Sequence, residues 1–193
     1  MKKLITIILL LMCSITFAQK NIPSKMLKDI ELITDEFTGD KTFKMKQGGP
    51  LSIQYENDVP KLYFTLACAD SGTFIGLEKI YIIAGDEKSE IDKNDHEFTQ
   101  KEISNRYMKK QASGTFGTFS YRAAEFDSRI YYYDEWKSDA ANHMNIINAI
   151  ISNKGGKVKF KGTNKDLFWD FNMKKASQMA EILNLYNFLT NVE

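Results

Sequence analysis

An α+β domain built mainly of antiparallel β-sheet is what the sequence predicts, and three observations predict it. Apolar and polar residues alternate in several short runs between 42 and 84, which is the period of a half-buried strand. Two segments, near 138–153 and 173–191, carry apolar residues at helical spacing instead. Between them, residues 157–171 read as a β-hairpin. Strands first, with helices flanking a late hairpin, fit an α+β arrangement better than a repeating βαβ one.

The chain opens with Lys2 and Lys3, an apolar run from Leu4 to Met12, and Thr16-Phe17-Ala18 before Gln19. A basic start, a short apolar stretch and a small residue at its end are the parts of a secretory signal. The stretch is shorter than the ~20 residues that span a bilayer. Residues 1–18 are therefore expected to be cleaved, leaving residues 19–193 as one exported α+β domain, periplasmic or extracellular. A lipid anchor on Cys13 is the competing reading, but Met12 stands where a lipoprotein signal needs a small residue. Cleavage takes Lys2 and Lys3 with it and turns a net charge of +1 into −1. That balance offers no electrostatic case for nucleic acid, whose binders carry a basic excess. No later run is apolar enough for a transmembrane segment.

Residues 20–34 are a mixed lead-in with helical turns expected around Met26, Leu27 and Ile30. Strands are expected at 42–46, 51–55, 61–69 and 79–84, broken at 48–50, 57–58 and 70–72 by Gly, Pro, Asn and Asp. In the third strand Leu62, Phe64, Leu66 and Cys68 share one face, so Cys68 reads as a buried thiol behaving as a small hydrophobe. Residues 86–110 are charged and read as an exposed excursion with a short helix near Thr99 to Met108. A second β stretch is expected from Gly114 to Tyr133.

In the last third, Ser138 is placed to cap a helix striped by Met144, Ile147 and Ile151 and widened by Ile146 and Ile150. Gly155-Gly156 ends it, with Gly155 expected in the left-handed conformation. The hairpin follows with Val158 and Phe160 inward. Asn172 or Ser177 caps the final helix, whose Met179, Ile182, Leu183, Tyr186 and Leu189 lie on one side.

Thr34-Asp35-Glu36-Phe37-Thr38-Gly39-Asp40-Lys41-Thr42 resembles the opening of a group of uncharacterised exported bacterial proteins and lipoproteins. In these a D-E-F-T-G segment leads into the first strand of a β-rich domain. The resemblance implies a secreted α+β domain and carries no activity or catalytic residue with it.

Functional residues are sparse. Two histidines, His96 and His143, and one mature cysteine argue against a zinc site. Asp35, Glu36 and Asp40 could begin a calcium site, yet a turn capped by Asp35 is the plainer reading. The run from Asp86 to Glu97 misses calcium-loop spacing, because Glu97 stands where glycine is needed. Lys157, Lys159 and Lys161 read as a solvated outer face or edge protection. Nucleophile-elbow, zincin and phosphate-loop motifs are absent, and no cofactor is expected.

The most suggestive constellation is Tyr131, Tyr133 and Trp136 with Glu125 and Asp127, since aromatic faces beside carboxylates suit a polar ring such as a sugar, though aromatic sheet packing with a polar rim is the plainer reading. The expected function is a non-catalytic binding domain of the cell envelope, its partner an envelope protein or a glycan. The alternative is a hydrolase of glycans or peptides using carboxylates among Glu125, Asp127, Asp134 and Glu135.

Overall fold

The computed structural model describes residues 22–93, 97–116 and 119–190, without the side chains of residues 97, 104–116 and 119–129. The signal segment at 1–18 and His96 lie outside the described residues. Among the described residues, a 3-10 turn at Ser24–Leu27 is followed by ten strands in two antiparallel sheets, with two α-helices.

The six-stranded sheet has the order β1-β2-β3-β4-β8-β7, from β1 (Ile30–Thr34), β2 (Lys41–Met45), β3 (Leu51–Glu56), β4 (Val59–Asp70), β7 (Glu97–Phe116) and β8 (Phe119–Asp139). The four-stranded sheet has the order β10-β9-β5-β6, from β5 (Leu77–Ala84), β6 (Glu87–Asp92), β9 (Gly156–Gly162) and β10 (Leu167–Phe171). Every pairing is antiparallel. The α+β class predicted above is therefore the observed one.

Alternation in the sequence becomes burial on one face. Phe43 and Met45, Leu51 and Ile53, and Leu62, Phe64, Leu66 and Cys68 are all buried, as are Ile80, Ile82, Val158 and Phe160 in the second sheet. Each such aliphatic or aromatic side chain contributes about 1.5–3 kcal/mol on burial. Helix α1 (Met144–Ser152) packs on β5 and β6, while α2 (Met173–Thr190) packs on β2, β3, β4 and β10 and against α1. Residues of both sheets and both helices join in one core cluster. Among the described residues no helix is long and apolar enough to cross a membrane.

The helix ends show local chemistry at work. Asp139, not Ser138, is the N-terminal cap: its carboxylate accepts from Ala141 N at 2.8 Å and starts a 3-10 turn, Ala140–His143, that leads into α1. At the other end of α1, Lys154 N bonds Ile151 O and Gly155 N bonds Ile150 O, the Schellman pattern. The left-handed residue is Lys154 (φ 54°), not Gly155. Gly155 is required for a different reason, since a Cβ there would lie 2.6 Å from the Phe171 carbonyl oxygen. Asn172 caps α2 by accepting from Lys175 N at 3.0 Å.

Three expectations are corrected. Ile30 begins a strand, not a helical turn, so the D-E-F-T-G segment forms the β1–β2 turn and leads into the second strand. Within the charged excursion at 86–110, β6 and the start of β7 are extended strands, with no helix at Thr99 to Met108. Both are edge strands of their sheets, and β6 buries only Ile91, so a core-facing alternation is missing. Edge protection by Lys157, Lys159 and Lys161 also fails, because β9 is paired on both sides by β10 and β5. Lys159 instead pairs with Asp166 at 2.7 Å on the solvent side.

The link from β4 to β5 is docked on the β9–β10 turn. Thr163 N and Asn164 N bond the carbonyls of Gly76 and Ile75 at 3.0 Å each. Lys165 reaches back to Asp70, whose other carboxylate oxygen accepts from Gly72 N and Thr73 N at 2.8 and 3.2 Å. The Lys165 ammonium first, then these two amides, hold the Asp70 carboxyl down at about 2. A depressed folded-state value stabilises the fold above the ordinary carboxylate pKa and is lost as pH falls through the folded one. The Tm advantage of the wild type over Asp70→Asn should therefore be full at neutral pH and vanish between pH 3.8 and about 2. A Tm difference that does not change across that window contradicts the assignment.

Candidate functional site

Strand β8 carries most of the residues singled out from the sequence. Its last third is paired to β4 from Tyr132 to Asp139, and from Tyr132 to Lys137 it is flanked by β7 as well. Successive side chains on a strand point to opposite faces, and this parity divides the constellation. Trp136 and Asp134 face the core at 0% and 2% exposure. Tyr132 shares that face and packs edge-on against Phe74, with ring centroids 4.9 Å apart. Tyr131, Tyr133, Glu135 and Lys137 occupy the other face, half-buried. Trp136 therefore does not join Tyr131 and Tyr133 in one aromatic patch. The parity of 133 and 136 was available in the sequence and already placed them apart.

Asp134 has structural work to do. Its Oδ2 accepts from Ile75 N at 2.9 Å and its Oδ1 from Gln100 Nε2 at 2.6 Å. One buried carboxylate thus ties the β4–β5 link and the edge strand β7 to β8. Glu135 points the opposite way and pairs with Lys101 at 3.5 Å. The two neighbouring carboxylates do not converge. Glu125 and Asp127 lie further along β8, and their side chains are outside the described set. Asp127 is seven positions from Asp134, about 23 Å of strand, which is beyond the ~5–9.5 Å over which two carboxyl groups act on one glycosidic bond.

Cys68 lies beside this cluster. Its thiol contacts Asp134 O at 3.7 Å, and burial first, then the Asp134 charge, pushes it up to about 12. The thiolate is the reactive form, so Cys68 should resist Ellman's reagent in the folded protein at pH 8 and titrate fully once denaturant is added. Rapid labelling of the folded chain would show that the thiol is accessible after all.

The D-E-F-T-G turn is satisfied internally. Asp35 Oδ1 accepts from Phe37 N and Thr38 N at 2.8 and 3.0 Å, and Thr38 Oγ1 donates to Asp40 Oδ2 at 2.7 Å. The amides of Thr38 and then Phe37 hold the Asp35 carboxyl below its ordinary range. Among the described residues no three His, Cys, Asp or Glu side chains gather as a metal site. His143 packs edge-on against Trp136 at 5.1 Å, as a core-boundary residue. A groove of about 660 Å³ lies between the β2–β3 turn and α2 and mixes Asp29, Lys46, Lys174 and Glu181 with Met45 and Met173.

One feature was not foreseen. Beyond Tyr132, strand β8 loses its β4 partner, while its pairing with β7 continues from Ile103↔Tyr131 to Phe116↔Phe119. Thirteen residues on the β8 side form this ribbon, about 43 Å at the usual rise per residue. A register shift between Met108 and Lys110 interrupts it, and such bulges sharpen the local twist. Among the described residues neither edge of the ribbon has another strand. Its composition is distinctive: Arg106, Arg122 and Arg129 are the three arginines of the whole chain, all 23 other basic residues being lysine. Residues 104–130 carry five basic side chains against Glu125 and Asp127, net +3. The clustering of arginine was the signal in the sequence that could have marked this segment.

Fold and site together define an α+β domain with a projecting basic β-ribbon and no assembled catalytic group among the described side chains. No protein-family model, curated protein or solved structure matches it.

Proposed function

We propose that this chain is an exported, non-catalytic interaction domain of the cell envelope, and that the β7–β8 ribbon is its binding element. The observation that carries this reading is the ribbon itself. An isolated two-stranded ribbon is marginal in water and needs further strands or a covering surface. Its length supports a role outside the fold, since a turn joining two strands needs only a few residues. Arginine and tyrosine are enriched where proteins bind one another, and Tyr107 and Tyr121 fall here with all the arginine. The leader-like residues 1–18 support export. The buried, backbone-bonded Asp134 and the diverging Glu135 argue against the hydrolase alternative for that pair.

A photo-cross-linking amino acid placed at Tyr107 or Tyr121 tests this in the cell that exports the chain. Covalent adducts should form from the ribbon positions and not from Phe168, which is exposed on the four-stranded sheet. No adduct from the ribbon, or equal adducts from Phe168, would sink the reading.

A further inference from the structure

The ribbon's partner can be narrowed by length and charge. It leaves the six-stranded sheet at the Asp70↔Tyr132 end. The β1–β2 turn at residues 35–40 and the β3–β4 turn at Asn57-Asp58 lie at the opposite end, because Thr42 pairs with Gln54 and Gln54 with Lys61. That far end is acidic, holding Asp35, Glu36, Asp40, Glu56 and Asp58 against Lys41 and Lys61. The body as a whole, residues 22–103 and 131–193, has net charge −5, against +3 for residues 104–130.

Strand β4 is twelve residues long, about 40 Å, so body and ribbon have nearly the same length along the strand direction. In a two-fold pair with the strands of the two copies running oppositely, each ribbon spans the other copy's body. Its tip then reaches that copy's acidic end. Pairing ribbon with ribbon would instead bring together two segments of like charge.

The acidic end also has the surface such a contact needs. Phe37 is 99% exposed at the turn. Leu32 and Ile33, at 46% and 41% exposure, lie on β1, an edge strand with an unpaired side. An exposed apolar edge strand is a template for pairing with another chain. Phe116 and Phe119 are the last paired residues at the ribbon's tip.

From this we infer that the ribbon binds a second copy of the same chain, reciprocally, each basic ribbon lying along the partner body toward its acidic β1–β2 turn. The inference rests on the ribbon being a binding element.

The test is analytical ultracentrifugation of the chain from Gln19 to Glu193 at low salt, with circular dichroism to verify folding. The wild type should sediment as a dimer. A ribbon variant (Arg106→Glu, Arg122→Glu, Arg129→Glu) and a turn variant (Glu36→Lys, Asp58→Lys) should each dimerise on the order of tenfold more weakly. Mixing the two variants should restore the dimer, because each reversed ribbon then meets a reversed turn.

A monomeric wild type, a dimer indifferent to both variants, or a mixture that stays monomeric would overturn the inference. The cross-linking experiment separates its failure from failure of the wider reading. Ribbon adducts to a different molecule from a monomeric chain overturn only the second-copy partner, whereas absence of ribbon adducts overturns both.

Discussion

Replacing Trp136 by alanine is expected to cost about 3–5 kcal/mol of stability, the range for deleting a large aromatic from a packed core. Trp136 has no exposed surface, and it packs edge-on against Phe64 at 5.6 Å and His143 at 5.1 Å. It pairs with Leu66 on one side and Phe98 on the other, so three strands and the start of α1 meet at its ring. Tyr133→Ala, on the other face and half-exposed, should cost far less. Urea unfolding midpoints of the two variants measure the contrast directly. Similar losses for both would mean that the two faces of β8 are not divided into core and surface as described.

The next largest effect is expected at Asp134. Removing its carboxylate with Asp134→Ala strands the buried Ile75 N–H and releases Gln100. An orphaned buried donor costs about 1–3 kcal/mol, and bonds to charged groups lie at the upper end. The loss should be near 3 kcal/mol, and the Ile75 amide should lose its protection from hydrogen exchange. Asp134→Asn should cost less, since its amide oxygen can still accept from Ile75 N while the Gln100 carboxamide turns to offer its oxygen. If Asn is as damaging as Ala, the charge and not the acceptor geometry is what holds the link.

The legible parts of the fold are those where one side of an element is buried. β2 to β5 and the β9–β10 hairpin alternate because helices or the opposite sheet cover one of their faces, and the stripe of α2 reads for the same reason through Met179 and Ile182. β1, β6 and β7 were missed as edge strands, and the first two have few covered residues: β1 buries Ile30 and β6 buries Ile91. Their strand character comes from backbone pairing, which leaves little trace in side-chain pattern. The ribbon is the extreme case, since among the described residues no further strand pairs with either of its edges.

The candidate site was half legible. Parity separates Trp136 from Tyr133 without any structure. The role of Asp134 was hidden, because its partner Ile75 N is 59 residues away in the chain and backbone donors have no sequence signature.

The central claim is that the body folds without the ribbon and that the ribbon serves contacts outside the chain. Thermal unfolding of a variant in which residues 104–130 are replaced by Asn-Gly, a two-residue hairpin turn, tests it most directly. The account predicts a single cooperative transition with Tm within a few degrees of the wild-type monomer, because the described core is assembled from the body's sheets and helices. Loss of cooperative unfolding, or a collapse of Tm, would show the ribbon to be part of the fold and contradict the account.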